Sequence, residues 1–206
     1  MLVAEKYSHK SQAHSNPAKR PEARMIANER AVDPYTEAAD TLPLPGFTGT
    51  YAAALRDIVD RQFCFSQKYQ EQQHRAERAG AQPELLVFER KVIKRMFKLG
   101  VPMFGHSVVR TAAEQDGLFV RGVTKARAGE SPHNYGCATD MIHGVKAWNL
   151  TRAQWALVGH VGKEVAAQAG IDVTWGGDWK FYDPAHWELT YWREVRQRYA
   201  GVNVAP

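Results

Sequence analysis

The chain reads as an α+β protein with a helical N-terminal extension, and three observations say so. Its strand-like stretches are short. They are mixed with helix-period segments instead of alternating with them in a regular βα rhythm. The patterning also changes near residue 100, from helix-period to mixed. With 206 residues there is room for one packed domain of about 100–150 residues and an accessory segment.

Residues 1–46 are polar and carry Pro17, Pro21, Pro34, Pro43 and Pro45; they read as tail or linker, with a short helix near 21–31. Residues 50–79 read as one helix, because Leu55, Ile58, Val59, Phe63 and Tyr69 fall near a 3.6-residue period, and Gly80 and Pro83 end it. A second helix covers 84–99, with Leu85, Phe88, Val92, Ile93 and Phe97 on one face, a basic remainder, and Gly100 as its stop. Beyond it the pattern predicts a strand over 103–110, a helix over 112–120, a loop bounded by Gly122 and Gly129, and a strand over 138–142. Thr151 caps a helix to 169, with Trp155, Leu157, Val158, Val161 and Val165 inward; strands over 171–175 and 186–189 and a closing helix over 191–199 complete the chain. The division that follows is 1–46 as a polar segment, 47–83 as a helical extension and 84–206 as the functional domain.

Composition excludes some classes. No run of about 18 apolar residues is present, so no transmembrane helix is expected, and the first residues lack the apolar core of a signal peptide. The expectation is a chain held in the cytoplasm until something releases it. Two cysteines, Cys64 and Cys137, are too few for a disulfide framework. The net charge of +5 is uneven, since residues 47–100 hold 10 basic against 6 acidic side chains. That face suits anionic wall polymers or a membrane, or is simply solvated; no motif for specific nucleic-acid recognition accompanies it.

The chemistry lies in two segments. Ser131-Pro132-His133-Asn134-Tyr135-Gly136-Cys137-Ala138-Thr139-Asp140 sets a His and an Asp around a glycine that permits a tight turn. Ala138 and Asp140 share one strand face. Downstream, Asp183-Pro184-Ala185-His186-Trp187-Glu188 adds a second His behind a carboxylate. His133, Asp140 and His186 make a three-ligand zinc set with one position left for water, the layout of a catalytic site. Asp183 is the natural acceptor for that water's proton. Glu188 shares a strand face with His186 and suits fixing its imidazole; the alternative is that Glu188 is the base. Cys137 as a thiolate ligand is the lesser alternative to a small buried residue. Trp175, Trp179 and Trp187 either wall a cleft or fill the core, and His106, His143 and His160 read as structural.

These blocks, together with Val109-Arg110-Thr111-Ala112-Ala113-Glu114-Gln115 and Trp175-Gly176-Gly177-Asp178-Trp179, resemble the zinc peptidases that cut bacterial cell-wall peptides. That family includes D-Ala-D-Ala carboxypeptidases and dipeptidases, and the L-alanyl-D-glutamate endopeptidases found among phage endolysins. The resemblance spans roughly 105–191. It implies a small antiparallel sheet with flanking helices around a zinc cleft, and a peptidoglycan stem peptide as substrate. It also implies that Arg110 faces the scissile carbonyl or a substrate carboxylate, and that Ser131 helps bind the peptide, a residue that could equally cap its turn. Lys125 is a second cation for a D-Glu carboxylate, and Trp179 a candidate cleft wall. The L-Ala–D-Glu bond is the expected target, because Asp183 stands where the dipeptidase branch more often has Glu. A D,D-carboxypeptidase, a zinc-keeping binding module and a virion-associated protein with a peptidase passenger are the rivals. Residues 1–45 are expected to be dispensable for the chemistry, and the N-terminal region to serve wall or virion association.

Overall fold

The computed structural model describes Leu44 and residues 49–201; the helix expected near 21–31 and the rest of the polar tail, Leu44 apart, lie outside the described residues. Four antiparallel strands, β1 (Met103–Ser107), β2 (Ala138–His143), β3 (Val173–Trp175) and β4 (His186–Leu189), form one sheet in the order β1-β2-β4-β3. The small sheet with flanking helices is the fold class the sequence predicts.

The segment read as one helix over 50–79 is three: α1 (Tyr51–Leu55), α2 (Arg61–Cys64) and α3 (Gln67–Gln73). Each begins at a capping side chain. Thr50 accepts the amide of Ala53, Asp60 that of Phe63, and Ser66 that of Tyr69. The first break is also held from outside, because the Asp60 amide donates to the Gly100 carbonyl at 2.8 Å. Periodicity saw the buried residues Ile58 and Tyr69 but not that caps divide them. Leu44 is buried in the same core as Tyr51, Ala54 and Ile58, so that core begins inside the segment read as tail.

The long helix α4 (Pro83–Leu99) buries Phe88, Val92 and Met96, and Gly100 ends it in the left-handed conformation at φ 82°. A short helix α5 (Ala112–Val120) follows β1 behind a capping box of Thr111 and Glu114. Helix α6 (Arg152–Ala169) starts at a second box, Thr151 with Gln154, and α7 (Trp192–Gly201) closes the described chain. Helices α4 and α6 pack on each other and on the sheet, with Trp155, Val158, Val161, Met141 and Trp187 in the common core.

Two glycines of α6 make this packing possible. A methyl at Gly162 would stand 2.2 Å from the Trp187 ring, and one at Gly159 2.3 Å from that of Trp175. In an open helix Gly→Ala gains about 1 kcal/mol. Here Gly162→Ala is expected to cost a net of about 1–3 kcal/mol through overpacking, read as a lower urea midpoint. Trp187 sits between His186 and Glu188, so the strain is delivered to the strand that carries both.

His143 links the N-terminal helices to the sheet. Its Nε2 donates to the Ile58 carbonyl at 2.9 Å, and Nδ1 accepts the amides of Val145 and Lys146 at 3.1 and 3.0 Å. Burial lowers its pKa from the ordinary 6.5. The unfolded chain therefore takes up the proton first. The stability that neutral His143 contributes is complete above about pH 6.5 and is lost as pH falls through its lower folded value. Urea unfolding at pH 7.5 and 5 should show this acid loss, and His143→Gln should flatten it.

Candidate metal centre

The β2–β4 register builds most of the centre. Asp140 is paired with His186 and Ala138 with Glu188, so a carboxylate faces an imidazole and a methyl leaves room for the second carboxylate. The third member comes from the 3₁₀ turn Pro132–Tyr135, which runs into β2 through Gly136 at φ 63°. Gly136 is required twice, for the left-handed backbone and for space, since a Cβ there would lie 2.4 Å from the Gly80 carbonyl.

The side chains converge. One donor atom from each of His133, Asp140 and His186 falls within 4.8 Å of the others. His186 Nδ1 lies 3.0 Å from Asp140 Oδ1, and His133 Nε2 lies 3.4 Å from His186 Nδ1. Each imidazole is steered by its other nitrogen. His133 Nδ1 donates to the Val108 carbonyl at 2.8 Å, and His186 Nε2 to Glu188 Oε2 at 3.1 Å. Glu188 Oε1 in turn accepts Trp192 Nε1 at 3.1 Å, so both oxygens of this buried carboxylate are engaged. Two nitrogens and an oxygen, aimed inward and fixed from behind, are a donor set that fits zinc.

Arg110 lies beside the cluster. The expected strand over 103–110 ends at Ser107 after an irregular register at Gly105–Ser107, and the Arg110 amide leaves the sheet to donate to the His133 carbonyl. The guanidinium donates to Asp140 Oδ2 at 2.5 Å, to Ser107 Oγ at 2.9 Å and to Gln115 Oε1 at 3.3 Å. Gln115 is fully buried and donates onward to the Ala126 carbonyl at 2.8 Å, tying Arg110 to the 122–129 loop. The sequence pointed to Gln115 only as part of a motif. For Ser107, Trp192 and the Val108 carbonyl it held no signal, because their roles come from the strand ends and from α7 packing.

Asp183 is half-buried. Its carbonyl accepts the His186 amide at 3.1 Å and its own amide donates to Gly176 at 3.0 Å, fixing the loop backbone against the metal segment. Burial and the charge on Asp140 raise its pKa, against attraction to His186, His133 and Arg110. Burial also opposes the charge on Asp140, but His133 and His186 outweigh it and hold that carboxyl well below its ordinary value. Burial lowers His133. For His186 burial is overcome by hydrogen bonds with Asp140 and Glu188, which lift its pKa to about 9.

The remaining residues divide. The Trp179 ring lies 5.1 Å from that of His186, at the cluster's edge. Lys125 is exposed, with Nζ 5.1 Å from the centre of the exposed Phe181 ring. Ser131 is buried and its Oγ accepts the His133 amide, capping the 3₁₀ turn. Trp175 and Trp187 stack in the core. Cys137 lies outside the cluster, and burial pushes its thiol to about 12. His106 stands edge-on to the exposed Trp148 at 4.7 Å, and its Nδ1 has no hydrogen-bond partner among the described residues.

Residues 124–189 match the sequence profile of a family described as D-alanyl-D-alanine carboxypeptidase. A curated relative, the peptidoglycan L-alanyl-D-glutamate endopeptidase CwlK of Bacillus subtilis (strain 168), is 36% identical over 99 residues, covering 39% of this chain. The chain spans 56% of that relative's length. The crystal structure of the L-Ala D-Glu endopeptidase ChiX of Serratia marcescens aligns with a TM-score of 0.48 and 24% identity, over 64% of this chain and 92% of that one. The matched segment contains all three members of the cluster, Asp183 and Glu188.

Proposed function

We infer that this chain, whose residues 124–189 match a family described as D-alanyl-D-alanine carboxypeptidase, is a zinc peptidase that hydrolyses an amide bond in the stem peptide of peptidoglycan. The observation that carries this reading is the convergence of His133, Asp140 and His186 within 4.8 Å, inside the matched segment and beside Asp183 and Arg110.

In this reading His133 Nε2, Asp140 Oδ1 and His186 Nδ1 hold the metal. When bound, zinc supplies Lewis acidity that activates water and polarises a carbonyl. Asp183 takes the proton of the attacking water and delivers it to the leaving amine as the C–N bond breaks. Arg110, held by Ser107 and Gln115, turns its guanidinium toward the oxygen on which negative charge develops, or toward a substrate carboxylate. Glu188 holds His186, which its two occupied oxygens support over a role as base. Trp179, at the cluster's edge, is assigned to the cleft wall, and Lys125 to an acidic substrate group.

The bond assigned is L-Ala–D-Glu, supported by the named activity of the Bacillus relative and by Asp183 at the base position. Endolysin-like lysis, reached from the cytoplasm of the producing cell, is the setting that goes with it. The second reading, removal of terminal D-Ala, is favoured by the description of the matched family. Digestion of purified muropeptides followed by mass spectrometry separates the two. New D-Glu amino termini are expected. Free D-Ala as the main product reverses the bond assignment, and intact muropeptides in the presence of zinc remove the peptidase reading.

A further inference from the structure

We propose that the groove between α3 and α4 docks the protein on an anionic membrane surface. The groove encloses about 520 Å³, and no member of the metal cluster lines it. Its floor is apolar, made by Tyr69, Leu86, Ile93 and Phe97, with the Tyr69 and Phe97 rings stacked at 6.2 Å. At one end Phe65 stands 74% exposed, edge-on to Phe97 at 5.3 Å. Arg90 and Lys94 line the groove, and Lys98, one turn further along, continues them as one exposed basic ridge on α4. Among the described residues none of the three is in an ion pair. The one carboxylate in the lining, Glu89, is buried and accepts both Nε and Nη2 of Arg78, at 3.1 and 2.8 Å. It therefore leaves the outward field positive.

Charge alone fits any polyanion, and a basic helix face is often no more than solvated. The exposed Phe65 and the apolar floor decide between partners. A soluble polyanion gives such a surface nothing to bury. A bilayer surface meets both halves, with phosphates for the cationic ridge and acyl chains for the aromatic edge. The described residues hold no helix long and apolar enough to cross a membrane, so the contact proposed is peripheral.

The test is co-sedimentation of the full chain with phosphatidylglycerol-containing vesicles and with phosphatidylcholine vesicles, beside binding to soluble polyphosphate. Partition onto the anionic vesicles alone is expected. Lys94→Ala with Lys98→Ala should lower it roughly 25-fold, since each basic residue at such a surface contributes about fivefold. Phe65→Ser should weaken vesicle partition and leave polyphosphate binding unchanged. Unchanged thermal unfolding of these surface variants shows that they are folded. Equal binding to both vesicles, wild-type partition by Phe65→Ser, or no partition by the full chain each overturns the proposal. Because the readout is partition, any of these outcomes leaves the peptidase reading where it stood.

Discussion

His186→Ala is expected to empty the metal site and lower muropeptide hydrolysis by on the order of 10³-fold or more, because Lewis-acid stabilisation is worth several kcal/mol. Two of the three donors would remain, and one of them, Asp140, would lose its closest imidazole partner at 3.0 Å. The loss should not be repaired by added zinc at concentrations that restore chelator-treated wild type. Glu188→Gln gives the graded control. It leaves all three donors in place but weakens the acceptor of His186 Nε2, and changes of this kind typically cost 10–100-fold in metal affinity. Metal content of the dialysed proteins, measured beside hydrolysis, should therefore rank wild type, Glu188→Gln and His186→Ala in that order. Full zinc occupancy in His186→Ala would remove this residue from the ligand set.

Much of this centre was legible because its members sit in short blocks. The turn glycine, Gly136, announces itself by type, and the alternation of Ala138 and Asp140 gives the face. What the blocks could not give was register. The pairing of Asp140 with His186 and of Ala138 with Glu188 joins residues far apart in sequence, and only the sheet sets it. The same limit hid Trp192, which reaches Glu188 from the closing helix, and Ser107, which reaches Arg110 from the end of an edge strand. The N-terminal helices illustrate the opposite failure. Apolar spacing over 50–79 was read correctly as burial at Ile58 and Tyr69, incorrectly at the exposed Val59, and incorrectly as one helix. Asp60 and Ser66 are good caps, and a cap side chain competes with helix continuation locally. Leu44 was passed over for a different reason: two leucines, Leu42 and Leu44, between prolines are too few to show a period, and the burial of Leu44 comes from tertiary contacts.

Asp183→Asn is expected to keep its zinc and its fold and to lose about 10²–10⁴-fold in kcat, the usual contribution of a positioned general base. The fold should survive because the hydrogen bonds that place the residue are made by its backbone, to Gly176 and from His186. Asn preserves the shape of the side chain while removing its capacity to take a proton. KM for a soluble muropeptide should move little, since the step lost is proton transfer and not ground-state binding. The competing base, Glu188, makes the experiment decisive. Its two oxygens already accept His186 Nε2 and Trp192 Nε1, so a proton taken there would break one of the bonds that orient His186 or hold Glu188. Metal-content analysis with steady-state kinetics on both variants separates the roles. Asp183→Asn should be zinc-replete and slow, while Glu188→Gln should regain rate as zinc is raised. The reverse pattern, with Asp183→Asn near wild-type rate and Glu188→Gln inactive at saturating zinc, would give the base to Glu188 and leave Asp183 as a loop residue whose carboxylate faces the cluster for another purpose.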